Sequence, residues 1–323
     1  MKKNNPQSAI ISITNQCNSR CLACDIWKKQ NDKHLSLNVI KKLPQGLKDI
    51  DLTGGEPFLH PELPGIVKIL KKNHPSVRLL ITTNGLLPQK IKKIIPALVR
   101  EDKNLAVRVS LDGMEETHDK MRGIKGAFRK AIKSLKVLKQ SGVKDLGIIF
   151  TLTKVNKNEI KKILNFCKEE KLNFSLNLVC DSPIYFGQNH LSLIPNKRMT
   201  TEVLKKVAAF FKSPLPLSNM AKRWFYEQTI NYIKIGKRPL KCGAGENFFY
   251  VDPEGNVYPC HLKNWLIGDL NKQSFKSIWR SHKKKEFSSK AEQCGDCFLI
   301  CTSKEQIKKN KMKVISQLFC LGK

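Results

Sequence analysis

The chain has 323 residues, of which 41% are hydrophobic, so it can bury the core of one large domain with a smaller one attached. No apolar run approaches the ~18 residues that a membrane-spanning helix needs, and the apolar stretch near the N-terminus is too short for a signal peptide. We therefore expect a cytoplasmic protein with no membrane association.

The net charge is strongly positive, with 59 Lys and Arg against 27 Asp and Glu, or +32 in total. Such an excess is compatible with nucleic-acid binding, because clustered basic side chains neutralise phosphates. Only 10 of the basic residues are Arg, the type favoured for bidentate phosphate contacts. The lysines are spread along the polar positions of the predicted helices. We favour a solvated lysine-rich surface over an RNA footprint and expect no nucleic-acid partner.

In chain order, the first ~180 residues alternate short β-branched runs with amphipathic segments, which predicts βα units around a parallel sheet. The six predicted strands are Ala9–Thr14, Asp49–Leu52, Val77–Thr83, Leu105–Leu111, Leu146–Thr151 and Leu172–Val179. The predicted helices between them are Leu37–Lys42, Glu62–Lys72, Pro88–Ile95, Ala127–Gln140 and Asn158–Lys168. Such a sheet closes into a barrel or opens into a doubly wound sheet. In both cases function gathers at the carboxyl ends of the strands.

Three cysteines, Cys17, Cys21 and Cys24, follow the first predicted strand. This spacing curls a loop around one metal site, whereas a helix would spread the residues over different faces. Three thiolates can hold three irons of a [4Fe–4S] cube and leave the fourth iron open. A structural zinc loop and three unrelated buried thiols are the alternatives, although zinc would want a fourth nearby Cys or His.

Glycine and polar residues stand at the ends of the next three strands. They are Gly54, Gly55 and Glu56 after the second, Asn84 after the third, and Ser110 and Asp112 after the fourth. Each set alone is compatible with a tight turn. Their coincidence with strand ends that also carry the cysteine loop predicts one shared binding site.

A second cysteine group follows a predicted helical stretch near Lys197–Ile235. Its members are Cys242, Cys260, Cys294, Cys297, Cys301 and Cys320. The alternating segment from Phe248 to Pro259 predicts a β-hairpin flanked by the first two of them. Two separated cysteine pairs would also suit tetrahedral zinc. We expect the remaining Cys167 and Cys180 to be core thiols.

The cysteine loop and the order of the strand-end residues resemble the radical S-adenosylmethionine (SAM) superfamily over about residues 8 to 180. The resemblance implies an α/β fold built on a partial (β/α)6 TIM-like barrel. It also implies an oxygen-sensitive enzyme in which Cys17, Cys21 and Cys24 hold a [4Fe–4S] cluster that chelates SAM through its open iron. Reductive cleavage of SAM would then give a 5′-deoxyadenosyl radical that abstracts hydrogen from the substrate.

The resemblance also implies roles for the strand-end residues. Gly54, Gly55 and Glu56 would meet the methionine ammonium of SAM. Ser110 and Asp112 would face its ribose or carboxylate side, and Asn84 would line the same pocket. Arg122 matches a position that often pairs with the SAM carboxylate, a charge-assisted contact that Arg makes well.

The C-terminal cysteines resemble the SPASM or shorter twitch extension of radical SAM enzymes, a small α+β unit with a hairpin and a helix. The resemblance implies one auxiliary [4Fe–4S] cluster on Cys242, Cys260, Cys294 and Cys297, with Cys301 as the alternative ligand. The C-terminal region has six thiols, counting Cys320, which are too few to provide four cysteine ligands to each of two clusters. His261 follows Cys260 directly, near where some relatives place the residue that takes a proton from the substrate. A structural histidine is the alternative.

From these patterns we expect a radical SAM core over residues 1–196, a helical linker region over 197–238 and an auxiliary-cluster domain over 239–323. The first strand begins near Ala9, so we expect no separate leader-binding domain before it. SAM, an electron donor such as flavodoxin or ferredoxin, and a peptide, protein side chain or small metabolite as substrate are the implied partners. An RNA-modifying radical SAM enzyme and a non-enzymatic iron–sulfur or zinc scaffold are the alternatives. A scaffold, however, needs no SAM pocket.

Overall fold

The computed structural model describes residues 5–29, 32–188, 190–212 and 217–310, and its centre is a parallel sheet. The first six strands are β1 Ser8–Thr14, β2 Asp49–Gly54, β3 Arg78–Thr83, β4 Ala106–Ser110, β5 Asp145–Leu152 and β6 Asn173–Leu178. Each of them pairs in parallel with the next. The predicted α/β fold, a partial barrel of six βα units, is confirmed.

The helices between these strands cover the outside of the sheet. They are α1 Leu37–Lys41, α2 Leu63–Asn73, α3 Pro88–Glu101, α4 Glu115–Arg122, α5 Ala127–Gln140 and α6 Ile160–Glu169. The helix α4 was not predicted, because its sequence is mostly charged and only His118, Met121 and Arg122 are buried. Strands β1 and β4 are buried at every position, as expected for parallel strands covered on both faces.

The C-terminal strands extend the same sheet. Strand β7, Phe248–Val251, pairs in parallel with β1, and its other edge pairs antiparallel with β8, Asn256–Tyr258. A two-residue strand β9, Gly268–Asp269, completes the order β6-β5-β4-β3-β2-β1-β7-β8-β9. The predicted hairpin is therefore confirmed. Its attachment to β1 places the end of the chain beside the first strand and its cysteine loop.

The predicted helical stretch forms α7, Lys197–Phe210, and α8, Leu217–Ile235. The backbone N–H of Leu176 in the edge strand β6 donates to the Tyr226 hydroxyl of α8 at 2.8 Å. Trp224 and Phe225 belong to the same hydrophobic core as the sheet. These helices therefore pack against the open edge of the barrel, where an uncovered strand would otherwise expose unpaired backbone groups.

Three further helices complete the described part of the chain. They are α9 Phe275–Arg280, α10 His282–Gln293 and α11 Ile300–Lys309. Cys320, counted with the C-terminal cysteines, lies outside the described residues. Among the helices that are described, none combines the length and the apolar character needed to cross a bilayer.

Candidate functional site

The cysteine loop, residues 17–24, is anchored to the end of α4. The backbone N–H of Arg20 donates to the carbonyl of Arg122 at 2.9 Å, and that of Leu22 donates to Met121 at 3.0 Å. Gly123 ends the helix with a φ of 62°, and a Cβ there would lie 2.4 Å from the Arg20 carbonyl oxygen. Only glycine allows this approach. The helix that the sequence did not reveal therefore holds the loop in place.

Three polar groups lie close to the sulfurs of the loop. Ser19 Oγ is 3.1 Å from Cys21 Sγ, and Arg122 Nη1 donates to the same sulfur at 3.5 Å. Asn84 Nδ2 lies 3.9 Å from Cys17 Sγ and donates to Asn18 Oδ1 at 2.8 Å. Hydrogen-bond donors beside metal-bound sulfurs stabilise the charge of those ligands.

Burial acts in the opposite direction on two of the loop thiols. It raises the pKa of Cys17 to about 11 and that of Cys24 to about 12. Both side chains are therefore neutral at pH 7 unless a cation compensates the charge of the thiolate. Metal binding releases such protons, so the loop would load iron with loss of H⁺.

Gly54 and Gly55 bring the end of β2 against the start of the cysteine loop. The backbone N–H of Gly55 donates to the Thr14 carbonyl at 2.7 Å, and that of Glu56 donates to Gln16 at 2.8 Å. A Cβ on Gly54 or Gly55 would lie 2.1 Å from the Thr14 or Gln16 carbonyl oxygen, respectively. The two glycines are thus required by backbone packing, whatever ligand they meet.

The Glu56 carboxylate is buried and accepts three hydrogen bonds. The donors are the backbone N–H of Phe58 at 3.1 Å, the Thr83 hydroxyl at 2.7 Å and the backbone N–H of Asn84 at 2.7 Å. Burial raises the pKa of Glu56 to about 7. A carboxylate has about four acceptor positions, so one remains for a cationic ligand group.

Arg122 and Asp112 form a buried ion pair beside the loop. Arg122 Nη2 lies 2.7 Å from Asp112 Oδ2, and Asp112 Oδ1 accepts from the backbone N–H of Thr151 at 2.8 Å. Burial raises the pKa of Asp112, and the guanidinium opposes that rise. Arg122 Nε is buried without a hydrogen-bond partner among the described residues. Ser110, also buried, ends β4 two residues before Asp112.

A loop after β6 contacts the end of β2 and the residue that follows the cysteine loop, and sequence reasoning did not single it out. The Tyr185 hydroxyl lies 2.6 Å from Thr53 Oγ1 and donates to the Gly54 carbonyl at 3.4 Å. The backbone N–H of Asp25 donates to the Phe186 carbonyl at 2.7 Å. Nothing in the local sequence marks Tyr185, because an aromatic residue in a loop is usually read as a packing residue.

His261 is enclosed by aromatic rings of the cluster that Cys17, Cys24 and Cys301 also contact. Its ring centroid lies 6.0 to 6.4 Å from those of four rings, namely Phe248, Tyr185, Phe186 and Tyr250. Burial lowers the pKa of His261 to about 4, so the imidazole is neutral at pH 7. Its Nδ1 has no hydrogen-bond partner among the described residues. The side chain is thus able to accept a proton only from a group that enters this enclosure.

Three members of the second cysteine group, Cys242, Cys260 and Cys297, lie in or against one apolar cluster. Cys180, from the end of the barrel, packs against the same cluster. Burial and then the neighbouring thiols of Cys297 and Cys242 raise the pKa of Cys260 to about 12. Cys301 packs against the neighbouring aromatic cluster, which Cys17 and Cys24 also contact. Members of both cysteine groups, far apart in sequence, thus contact one set of aromatic side chains.

The two cysteines predicted to be core thiols behave differently. Cys167 lies in α6 within the main hydrophobic core, as predicted. Cys180 packs against a smaller hydrophobic core cluster beside the C-terminal cysteines rather than in the main core. Strand β6 ends at Leu178, and the chain beyond it turns towards the C-terminal cysteines.

Cys294 faces a polar pair at the surface. Hydrogen bonds from Lys263 and from the Cys294 thiol lower the pKa of Asp296. Arg238, by contrast, is directed at the inner member of the Cys294/Cys297 pair, with Nη1 3.7 Å from Cys297 Sγ. Two predicted ligands of the second group therefore have different neighbours: Cys294 lies beside the carboxylate of Asp296, and Cys297 lies beside the guanidinium of Arg238.

The donor chemistry fits iron–sulfur clusters. All ten described cysteines are free thiols. In the described part of the chain, no three His, Cys, Asp or Glu side chains converge on a point suited to a single metal ion. A cubane cluster distributes its thiolates over separate irons, so its ligands need not converge in that way.

Two family models match the chain. Residues 11–167 match the radical SAM superfamily, and residues 242–298 match SPASM, an iron–sulfur cluster-binding domain. The chain belongs to the radical SAM superfamily. The cofactors of this radical SAM protein are therefore SAM and a [4Fe–4S] cluster, and its SPASM domain implies auxiliary iron–sulfur binding.

Named relatives agree with this membership. The radical SAM protein is 28% identical over 291 residues to AlbA, the antilisterial bacteriocin subtilosin biosynthesis protein of Bacillus subtilis (strain 168). That match covers 85% of this chain but only 60% of AlbA. A cysteine-type anaerobic sulfatase-maturating enzyme of Clostridium novyi (strain NT) is 26% identical over 324 residues, covering 90% of this chain and 85% of the enzyme.

A solved structure has the same fold. Native anSMEcpe with bound AdoMet and a Cp18Cys peptide superposes with a TM-score of 0.66 at 20% sequence identity. The match covers 92% of this radical SAM protein and 88% of that chain. The likeness extends over both the barrel and the C-terminal extension.

Proposed function

We propose that this protein cleaves SAM at a [4Fe–4S] cluster held by Cys17, Cys21 and Cys24, and removes hydrogen from a peptide or protein side chain. The observation that carries the proposal is the position of Arg122, which contacts both Cys21 of the loop and Asp112 after β4. The loop and the strand ends therefore belong to one site. In this proposal residues 1–196 form the cleaving core, 197–238 the helical region and 239–323 the auxiliary-cluster domain.

When bound, the cluster supplies the electron that splits SAM into methionine and a 5′-deoxyadenosyl radical. The residues of the chain bind and orient SAM for that step. The free acceptor position of Glu56, together with the adjoining Gly54 and Gly55 backbone, suits the methionine ammonium. The unpartnered Nε of Arg122 suits the SAM carboxylate, because a buried donor without a partner is costly unless a ligand satisfies it.

Ser110, Asp112 and Asn84 are proposed for the ribose side of the pocket. All three are buried at strand ends next to the residues just named. We assign His261 the acceptance of a proton from the substrate, since its Nδ1 has no hydrogen-bond partner among the described residues. Cys242, Cys260, Cys294 and Cys297, with Cys301 as the alternative, are the ligands that the family pattern suggests for the auxiliary cluster.

A polypeptide substrate is supported by the relatives. The names of two of them refer to biosynthesis of a bacteriocin and to maturation of sulfatases. For the electron donor we propose a flavodoxin or ferredoxin. A net charge of +32 would accelerate association with an acidic carrier, and that effect would weaken as salt is added.

The first experiment measures SAM cleavage. The protein is reconstituted anaerobically with iron and sulfide, supplied with SAM and dithionite, and assayed for 5′-deoxyadenosine by mass spectrometry. Replacing Cys17, Cys21 or Cys24 with Ala should abolish the product and remove one cluster's iron. Cys167→Ala, a buried thiol in α6, is the matched control and should retain cleavage. Wild-type rates in any loop variant would disprove the cluster assignment.

The second experiment tests the substrate class. Proteins and peptides from cells grown in deuterated medium are separated from small metabolites, and each fraction is added to the reconstituted enzyme. Hydrogen abstraction transfers deuterium to 5′-deoxyadenosine. Transfer from the polypeptide fraction alone is the expected result. Transfer from the small-metabolite fraction alone would overturn the proposed substrate class while leaving SAM cleavage intact.

A further inference from the structure

Cys180 stands apart from the other cysteines of the barrel. It lies two residues after β6 and is outside the stretch that matches the SPASM model. Its side chain packs against the apolar cluster of the C-terminal domain that contains Cys242 and Cys260, and Cys297 packs against the same cluster. A residue of the barrel thus enters the thiol group of the auxiliary domain.

The surroundings of Cys180 differ from those of an ordinary core thiol. Cys167, a cysteine of that kind, is surrounded by the main hydrophobic core. Cys180 instead faces other thiols, and its Sγ makes a long 3.6 Å contact with the Leu178 carbonyl. Free cysteine is stable in an apolar core, so burial alone would not distinguish the two. The packing of Cys180 against a cluster that also includes three other thiols does distinguish them.

Cys294 presents the complementary case. Its thiol donates to the carboxylate of Asp296, which is 63% exposed and pairs with Lys263. It is not a member of the apolar cluster that contains Cys297, its partner in the Cys-x-x-Cys pair.

We propose that Cys180 is a thiolate ligand of the auxiliary iron–sulfur cluster, together with Cys242, Cys260 and Cys297. Cys180 would then take the place that the family pattern gives to Cys294, and Cys294 would not be required. The inference rests on the proposed function only in taking the SPASM site to hold such a cluster. Ligation forms an Fe–S bond and releases the thiol proton to solvent, so no oxidant or reductant is needed. The cluster would then tie the last barrel strand to the C-terminal domain.

The test isolates the auxiliary cluster. Cys17, Cys21 and Cys24 are replaced with Ala together, so that the remaining iron belongs to the second site. In that background Cys180→Ser, Cys294→Ser and Cys167→Ser are each reconstituted anaerobically. Iron and sulfide per chain are measured, and the EPR spectrum of the reduced protein is recorded. Cys180→Ser should lose most of the iron or shift the spectrum, whereas the other two variants should match the background.

An unchanged iron content and spectrum in Cys180→Ser would overturn the proposal. So would loss in Cys294→Ser with none in Cys180→Ser. These readouts do not depend on SAM cleavage, whose failure in the cluster-complete protein would count against the proposed function instead. Far-UV circular dichroism of the metal-free variants establishes that each one folds.

A measurement on the unsubstituted protein covers the case in which Cys180→Ser fails to fold. The holoprotein and its chelator-treated apo form are labelled with N-ethylmaleimide under native conditions, and labelling is quantified at each cysteine. Cys180 should become several-fold more reactive once the cluster is removed, while Cys167 stays constant as the internal reference. Equal reactivity of Cys180 in the two forms would contradict ligation.

Discussion

Arg122 and Asp112 form an ion pair with 2.7 Å between Nη2 and Oδ2, and their side chains are only 10% and 4% exposed. The guanidinium reaches Cys21 on its other side. Little water reaches this buried ion pair, so its electrostatic interactions with neighbouring groups are only weakly screened. Its removal should therefore affect folding as well as ligand binding.

Arg122→Met should lower the free energy of unfolding by about 3 to 5 kcal/mol, because it leaves the Asp112 carboxylate buried without its partner. Urea unfolding of the metal-free protein measures the loss. Arg129→Met is the matched control. It breaks a pair with Glu115 in which the two side chains are 80% and 49% exposed, and should cost less than about 1 kcal/mol. Equal losses in the two variants would contradict this account.

The double variant Arg122→Met/Asp112→Asn separates the ion pair from packing. Removing both charges avoids an unpaired buried carboxylate, so part of the stability lost in Arg122→Met should return. The same urea series provides the comparison. No recovery would indicate that Arg122 stabilises the fold mainly through its packing and its hydrogen bonds.

Cys260→Ala should remove the auxiliary cluster and leave some SAM cleavage. Cys260 belongs to the C-terminal thiol cluster, whereas the first site is built on the loop after β1. Metal analysis and 5′-deoxyadenosine formation are measured on the same preparation. About one zinc and one [4Fe–4S] cluster per chain, with zinc lost in this variant, would instead indicate a structural zinc site.

The pH dependence of stability should reveal the burial of His261. Its pKa falls from 6.5 to about 4 on folding, so between these values the unfolded chain binds the proton and the folded chain does not. The free energy of unfolding should therefore fall as the pH drops from 6.5 to 4, on the order of 3 kcal/mol for this group. Subtracting the curve of His261→Phe isolates that contribution. Parallel curves would contradict it.

His261→Ala tests the proposed role in catalysis. The variant should retain both clusters and form 5′-deoxyadenosine, because neither process needs the imidazole. Product formation should stop once a substrate is available, since the variant lacks the base proposed to accept the substrate proton. Turnover at the wild-type rate would place His261 among the residues that only pack the aromatic enclosure.

Most strands and helices of the barrel could be predicted from local sequence patterns. The six strands and most helices follow from β-branched runs and helical periodicity, which depend on neighbours a few residues away. The cysteine loop was readable for the same reason, since its spacing lies within eight residues. Helix α4 was missed because two of its three buried residues, His118 and Arg122, are polar, so its sequence shows no apolar stripe.

The sequence by itself thus determined the elements, the loop that holds three thiols and the likeness to a family. Three things were decided only by tertiary structure. These are the pairing of β7 with β1, the union of Arg122 with Asp112 and Cys21, and the entry of Cys180 into the C-terminal thiol cluster. Each joins residues that are distant in the chain or lie in different elements. Such contacts leave no periodic signal, because they depend on how whole elements pack rather than on which residues are neighbours along the backbone.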